Sequence, residues 1–187
     1  MVQTAVKPFS LEDFLLLPDT EPESEYFDDE IIQKPMPKGK HSAIQTEFAA
    51  AINVTLKSKR IARAFSELRC TFGGKSIVPD ISVFRWDQIV RDRDGKIANI
   101  FNIPPDWLIE ILSPDQSQTK LVKKILFAIE HGTEMAWLLD PEEEVIFIYR
   151  ANQALQICDR AEQVLPVPDF ASDLQLTVAT VFGWLSD

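Results

Sequence analysis

Long apolar runs are missing from this 187-residue sequence. None approaches the roughly 18 residues needed to cross a bilayer. Met1–Ser10 holds one lysine and no apolar segment of the signal-peptide kind, so a cytoplasmic protein is expected. Cysteine is scarce, with only Cys70 and Cys158, which fits free core thiols better than a disulfide. Histidine is as scarce: His41 and His131 lie far apart and cannot supply the ligand cluster of a zinc hydrolase. No glycine-rich phosphate cradle, helix-turn-helix signature or zinc finger is present. Positive charge is also short. The net charge is −10 and the pI about 4.7, which counts against a simple nucleic-acid binder.

The charges that exist are unevenly spread. Bases concentrate between residues 31 and 75 (Lys34, Lys38, Lys40, Lys57, Lys59, Arg60, Arg63, Arg69 and Lys75), against Glu47 and Glu67 alone. A local basic face on an acidic protein is one reading; solvated charges on a helix and its flanks is the plainer one.

Hydrophobic residues make up 45% of the chain and charged residues 26%, as in an ordinary globular domain. Ser10 before Leu11 predicts a capped short helix ending before Pro18. Glu25–Phe27 and Glu30–Lys34 flank Asp28-Asp29 as a small hairpin. Ile44, Phe48, Ile52 and Leu56 recur every four residues, one face of a helix that starts near His41. Ala62–Phe72 and Ser76–Phe84 read as paired strands about Gly73-Gly74. Trp107–Leu112 reads as a buried strand, Ser117–His131 as a helix closed by Gly132, and Met135–Asp140 and Val145–Arg150 as two further strands. Leu155–Val164 is expected to add an outer hairpin, and Val178, Val181, Phe182 and Leu185 a short closing helix. This order predicts one α/β (α+β) domain over residues 1–187, a central mixed β-sheet flanked by helices, with the helix and hairpin at about 10–34 as an N-terminal extension.

Two carboxylates stand out. Glu110 interrupts the apolar string Trp107-Leu-Ile-Glu-Ile-Leu, and its period-two neighbours are Leu108 and Leu112. A buried carboxylate is rare unless it is paired or metal-bound. Asp80 follows Pro79 at the head of the apolar Ile81-Ser-Val-Phe84; alone it reads equally well as a turn residue or a metal ligand. Carboxylates on neighbouring strands suit a hard divalent cation such as Mg²⁺, which needs only one or two of them beside water and phosphate.

Several strings resemble one family: Glu30-Ile-Ile, Met36-Pro37 with His41, Pro79-Asp80-Ile-Ser-Val, Pro104-Pro105-Asp106-Trp-Leu-Ile-Glu110-Ile-Leu-Ser113-Pro114, Lys124-Ile-Leu-Phe, and Gly132 with Trp137-Leu-Leu-Asp140-Pro141. In this order, over about residues 11–185, the chain resembles the Uma-two family of proposed restriction endonucleases, within the PD-(D/E)XK superfamily. The resemblance implies a restriction-endonuclease-like fold and Mg²⁺-dependent (or Mn²⁺-dependent) cleavage of DNA. Asp80, Glu110 and the backbone carbonyl of Ile111 would hold the metal. One position departs from the superfamily pattern: Leu112 stands where a lysine is expected two residues after the second carboxylate. The resemblance moves that lysine to Lys124 on the next helix, and the residues alone leave Lys120 and Lys123 open. It also implies a contribution from the first core helix, for which His41 and Gln45, one turn apart, are candidates for binding substrate. A homodimer would allow both DNA strands to be cut together. Two alternatives accompany this reading. One is an inactive nuclease fold serving as a regulatory or interaction module, which the acidic composition favours. The other is a metal-free acid–base pair acting on a glycosidic bond.

Overall fold

The structure, a computed structural model, describes residues 9–114 and 116–186. The strands are β1 (Ser24–Phe27), β2 (Glu30–Gln33), β3 (Ala62–Ser66), β4 (Cys70–Phe72), β5 (Lys75–Ile77), β6 (Ile81–Arg85), β7 (Trp107–Ile111), β8 (Met135–Asp140), β9 (Val145–Arg150) and β10 (Gln156–Cys158). The helices are α1 (Leu11–Leu15), α2 (Gly39–Ile52), α3 (Gln118–Glu130) and α4 (Val178–Gly183). A six-stranded sheet runs in the order β10-β9-β8-β7-β6-β3, and a four-stranded sheet in the order β2-β1-β5-β4. In the larger sheet only β7 and β8 are parallel, and α3 makes the crossover between them. No described helix is long and apolar enough to cross a membrane.

Local chemistry accounts for the elements. Ser10 and Asp13 form a reciprocal capping box at the head of α1. Asp28 and Asp29 both take positive φ, as a tight two-residue hairpin turn requires, and Gly73 and Gly74 do the same between β4 and β5. The four-residue apolar stripe of α2 is wholly buried at Ile44, Phe48, Ile52 and Leu56. The last of these lies on a π-helical turn, Asn53–Lys57, that prolongs the helix. From it the Asn53 side chain accepts from the Ala64 amide and donates to the Ala64 carbonyl, which pins α2 to β3.

The strands around Gly73-Gly74 do not form one continuous hairpin. β4 and β5 pair around the glycines in the smaller sheet, whereas β3 and β6 pair in the larger one. Both strands break at one level. Glu67 adopts a left-handed φ of 50°, and Pro79 has no amide to donate. The outer halves therefore peel away to meet the N-terminal hairpin through Tyr26 and Ser76. The expected outer hairpin at Leu155–Val164 is also corrected. Only β10 forms there, on the edge beside β9, and Val164 bridges instead to Thr177.

The central strands are buried on both faces. Trp107, Ile109 and Ile111 point into a core built with α2 and α4. Leu108 points into a second core with α3 and the smaller sheet. Cys70 and Cys158 are free and buried. Among the bases of residues 31–75, Lys40, Lys59, Arg69 and Lys75 each pair with an acid from elsewhere in the chain, which dilutes the net positive charge of that stretch.

Phe48 is fully buried against Trp107, Trp137 and Trp184. Phe48→Ala is expected to lower the unfolding free energy by about 3–5 kcal/mol in a denaturant titration. A loss below about 1 kcal/mol would contradict this packing.

Candidate active site

Asp80 stands where the two sheets part, between β5 and β6, and is completely buried. The β6–β7 ladder begins at the pair Ile81 and Ile109. Two residues beyond Ile109, level with Pro79, the Ile111 amide donates to Asp80 Oδ2 at 2.7 Å. The carboxylate thus completes the ladder that Pro79 interrupts. The Asp80 backbone carbonyl accepts from the Glu67 amide at 3.2 Å and from Gln45 Nε2 at 2.9 Å.

Glu110 lies on the Leu108 side of β7, facing α3, and is also completely buried. Strand alternation would turn it to solvent only if one face of the sheet were wet, and neither is. On α3, Leu121, Lys124, Ile125 and Ala128 form the buried stripe. Lys124 is the polar member of that stripe, while Lys120 and Lys123 are exposed. Lys124 Nζ sits 2.9 Å from Glu110 Oε1 and donates to Glu25 Oε1 at 2.8 Å. Asp80, Glu110 and Lys124, remote in sequence, therefore meet in one buried cluster.

Sequence reasoning did not single out two further members, Glu25 and Lys34, which come from the N-terminal hairpin. Glu25 Oε1 accepts from the Val78 amide at 2.7 Å as well as from Lys124. Lys34 Nζ donates to the Val78 carbonyl at 2.9 Å and to Asp80 Oδ1 at 2.7 Å. The hairpin thus grips both backbone polar groups of Val78, the residue before Pro79-Asp80, in a stretch with no ladder to satisfy them. The only sequence signal was a glutamate and a lysine at the two ends of a short apolar hairpin, too common a pattern to stand out. Ser113 is a third addition: its Oγ lies 3.1 Å from His41 Nδ1. His41 Nε2 is 3.4 Å from Asp80 Oδ1. His41 and Gln45, expected to face substrate, both face Asp80.

The cluster is electrostatically graded. Burial alone would raise the Asp80 carboxyl, but Lys34 and His41 outweigh it and hold the group well below its usual range. Burial also dominates at Glu110, and there Lys124 compensates only in part while Asp80 adds repulsion, so the carboxyl is pushed up to about 7. Burial disfavours the charged form of Lys124, yet Glu110 and Glu25 overcome it and raise its pKa. Both Glu110 oxygens lack a hydrogen-bond partner; Lys124 approaches one at ion-pairing distance without the geometry of a hydrogen bond.

That unpartnered carboxylate is the test of fit for a divalent cation. Among the described residues no cage of three or more His, Cys, Asp or Glu side chains gathers. A structural zinc site uses such a cage, whereas Mg²⁺ needs only one or two carboxylates beside water and phosphate. Glu110 has free lone pairs, Asp80 is its neighbouring carboxylate, and Ile111 lies against Asp80. These residues fit.

Two openings approach the cluster. A pocket of about 380 Å³ between the β1–β2 hairpin and the start of α3 reaches Glu25, Lys34 and Lys124. A smaller one of about 200 Å³ reaches His41 and Ser113, beside Lys38 and Lys40. Asp80 and Glu110 line neither.

Two predictions concern the metal-free protein. Glu110 holds a proton in the folded state that the unfolded chain releases above its ordinary value of 4.5. Its contribution to stability is therefore complete below about pH 4.5 and lost as pH rises through about 7. In chelator, the stability of wild type relative to Glu110→Gln should fall by a few kcal/mol across that interval and level off above it. A difference that grows with pH would show that Glu110 is not raised. Lys124→Met leaves Glu25 and Glu110 without their cation, and should cost about 3–5 kcal/mol in a denaturant titration near pH 8.

Comparison with known proteins places this arrangement. The profile of the Uma2 family, described as "Putative restriction endonuclease", matches residues 11–179. A crystal structure described as a "putative nuclease belonging to DUF820", from Anabaena variabilis, is 58% identical and superposes with a TM-score of 0.94, covering 95% of this chain and 99% of that one. A DrdV–DNA complex overlaps 78% of this chain and 11% of that one at 11% identity and a TM-score of 0.40, too weak a likeness to carry an argument. No curated protein matches. The fold is that of a restriction-endonuclease-like nuclease, and the chain belongs to the Uma2 family.

Proposed function

We propose that this protein hydrolyses DNA phosphodiester bonds with the help of Mg²⁺ or Mn²⁺. One observation carries the reading: a fully buried glutamate, Glu110, with both oxygens unpartnered, beside a second buried carboxylate and a buried lysine. In this reading Asp80, Glu110 and the Ile111 carbonyl hold the cation. A cation bound there supplies charge neutralisation at phosphate and water activation.

The chain's own residues do the rest. Lys124 holds positive charge where negative charge grows on the phosphate oxygens. Glu25 fixes the Lys124 ammonium by accepting its hydrogen bond, so Glu25 is a positioning residue. His41 and Gln45 orient Asp80, one through the carboxylate and the other through the backbone carbonyl. Ser113 in turn holds the His41 ring. Glu110 would hold a cation as the carboxylate, so the affinity should rise with pH up to about 7.

Calorimetric titration of Mn²⁺ tests the site. Wild type is expected to bind saturably, and Asp80→Asn and Glu110→Gln to bind at least tenfold more weakly while remaining folded. Lys124→Met should still bind Mn²⁺ saturably and lose about 10²–10³-fold in DNA cleavage rate. Equal Mn²⁺ binding by wild type and both carboxylate variants would remove the metal mechanism and favour an interaction module on a nuclease fold.

A further inference from the structure

The role of Lys34 goes beyond the carboxylates and Lys124. It lies in the loop just after β2 and is buried, with a side chain 6% exposed. It lines the 380 Å³ pocket, which Asp80 does not, and its ammonium is 2.7 Å from Asp80 Oδ1. Lys34 therefore joins that pocket to Asp80. The same pocket receives Lys120, Lys123 and Lys124, so its wall holds four lysines against Glu25, Asp28 and Glu30. On a chain of net charge −10, this is a local reversal of sign.

Lys34 and Lys124 enter the cluster on two separate elements, each tied to a carboxylate. Burial and the repulsion of Lys124 both oppose the charged form of Lys34, and the Asp80 and Glu110 carboxylates outweigh them. A phosphate between two ammonium groups relieves that repulsion. A cation on Asp80 would compete with Lys34 for Oδ1, the oxygen the ammonium now holds.

Resting on the nuclease reading, we infer that Lys34 is the second phosphate-binding lysine of the site. Its ammonium exchanges the Asp80 carboxylate for a substrate phosphate as a divalent cation takes that carboxylate. Lys34 then has two opposed effects. It weakens metal binding in the free protein and strengthens binding of DNA. A lysine that merely supported the fold would help both or neither.

Lys34→Gln, which removes the charge and keeps an N–H donor, tests this beside Lys34→Arg. Mn²⁺ affinity is read by calorimetry, and affinity for a labelled DNA duplex by fluorescence anisotropy in Ca²⁺ over a range of salt. Lys34→Gln is expected to bind Mn²⁺ severalfold more tightly than wild type. It should bind DNA roughly tenfold more weakly, with the slope of log affinity against log salt reduced by about one. Lys34→Arg should restore that slope. If Lys34→Gln does not fold, Lys34→Met, which also removes the charge and keeps the apolar stem, takes its place in both titrations, with the same outcomes for and against. Weaker Mn²⁺ binding in Lys34→Gln, or DNA binding with an unchanged slope, overturns the role. A wild type that binds neither Mn²⁺ nor DNA overturns the nuclease reading and this one together. A wild type that binds both, with Lys34→Gln indistinguishable from it, overturns the role of Lys34 alone.

Discussion

A carboxylate at the middle of a strand buried on both faces constrains everything around it. Glu110 is wholly buried, and the ordinary means of satisfying it, backbone amides, are largely committed to the ladders that β7 shares with β6 and β8. What reaches it is a single ammonium from α3. That ammonium needs its own fixture, which is Glu25 on the N-terminal hairpin. The position of α3 and the docking of the smaller sheet are thus tied to one acidic side chain. Ion pairs of this kind seldom add stability over a well-packed apolar core. Their presence at the junction of two sheets is better explained by chemistry than by folding.

The junction itself follows from Pro79. A proline has no amide to donate, so the β3–β6 ladder and the β4–β5 hairpin cannot merge, and the chain between them carries unpaired polar groups. The hairpin side chains close that gap at Val78, and the Asp80 carboxylate closes it at Ile111. The Pro-Asp pair thus acts twice. It divides one long hairpin between two sheets, and it leaves a carboxylate at the division.

The cluster also has a direction. Its two central carboxylates are hidden, whereas Lys34 and Lys124 border the larger opening and His41 the smaller. In the wall of the larger opening four lysines, Lys34, Lys120, Lys123 and Lys124, stand beside Glu25, Asp28 and Glu30. Lysines thus outnumber acids in that wall although acids outnumber bases in the chain, and the field a ligand meets is set locally.

Much of this was legible in the sequence. The stripe of α2, the cap of α1, the glycine turn and the apolar strand with its misplaced glutamate are local patterns, set by period, turn chemistry and the cost of burying charge. Lys124 came from the family resemblance, for the residues alone left Lys120 and Lys123 open; its burial beside Leu121, Ile125 and Ala128 is what separates it from them. The division of Ala62–Phe84 between two sheets was not legible, because alternation is the same whichever partner a strand finds. Nor were Glu25 and Lys34, which look like ordinary charged residues of a surface hairpin. Their burial depends on β1 pairing with β5 at Tyr26 and Ser76, a contact between segments far apart in the chain. The sequence by itself determined which strand would carry a buried acid and which helix would face it. Only the tertiary structure decided which side chains surround that acid, because long-range pairing, and no local propensity, brings the hairpin to the Pro-Asp turn.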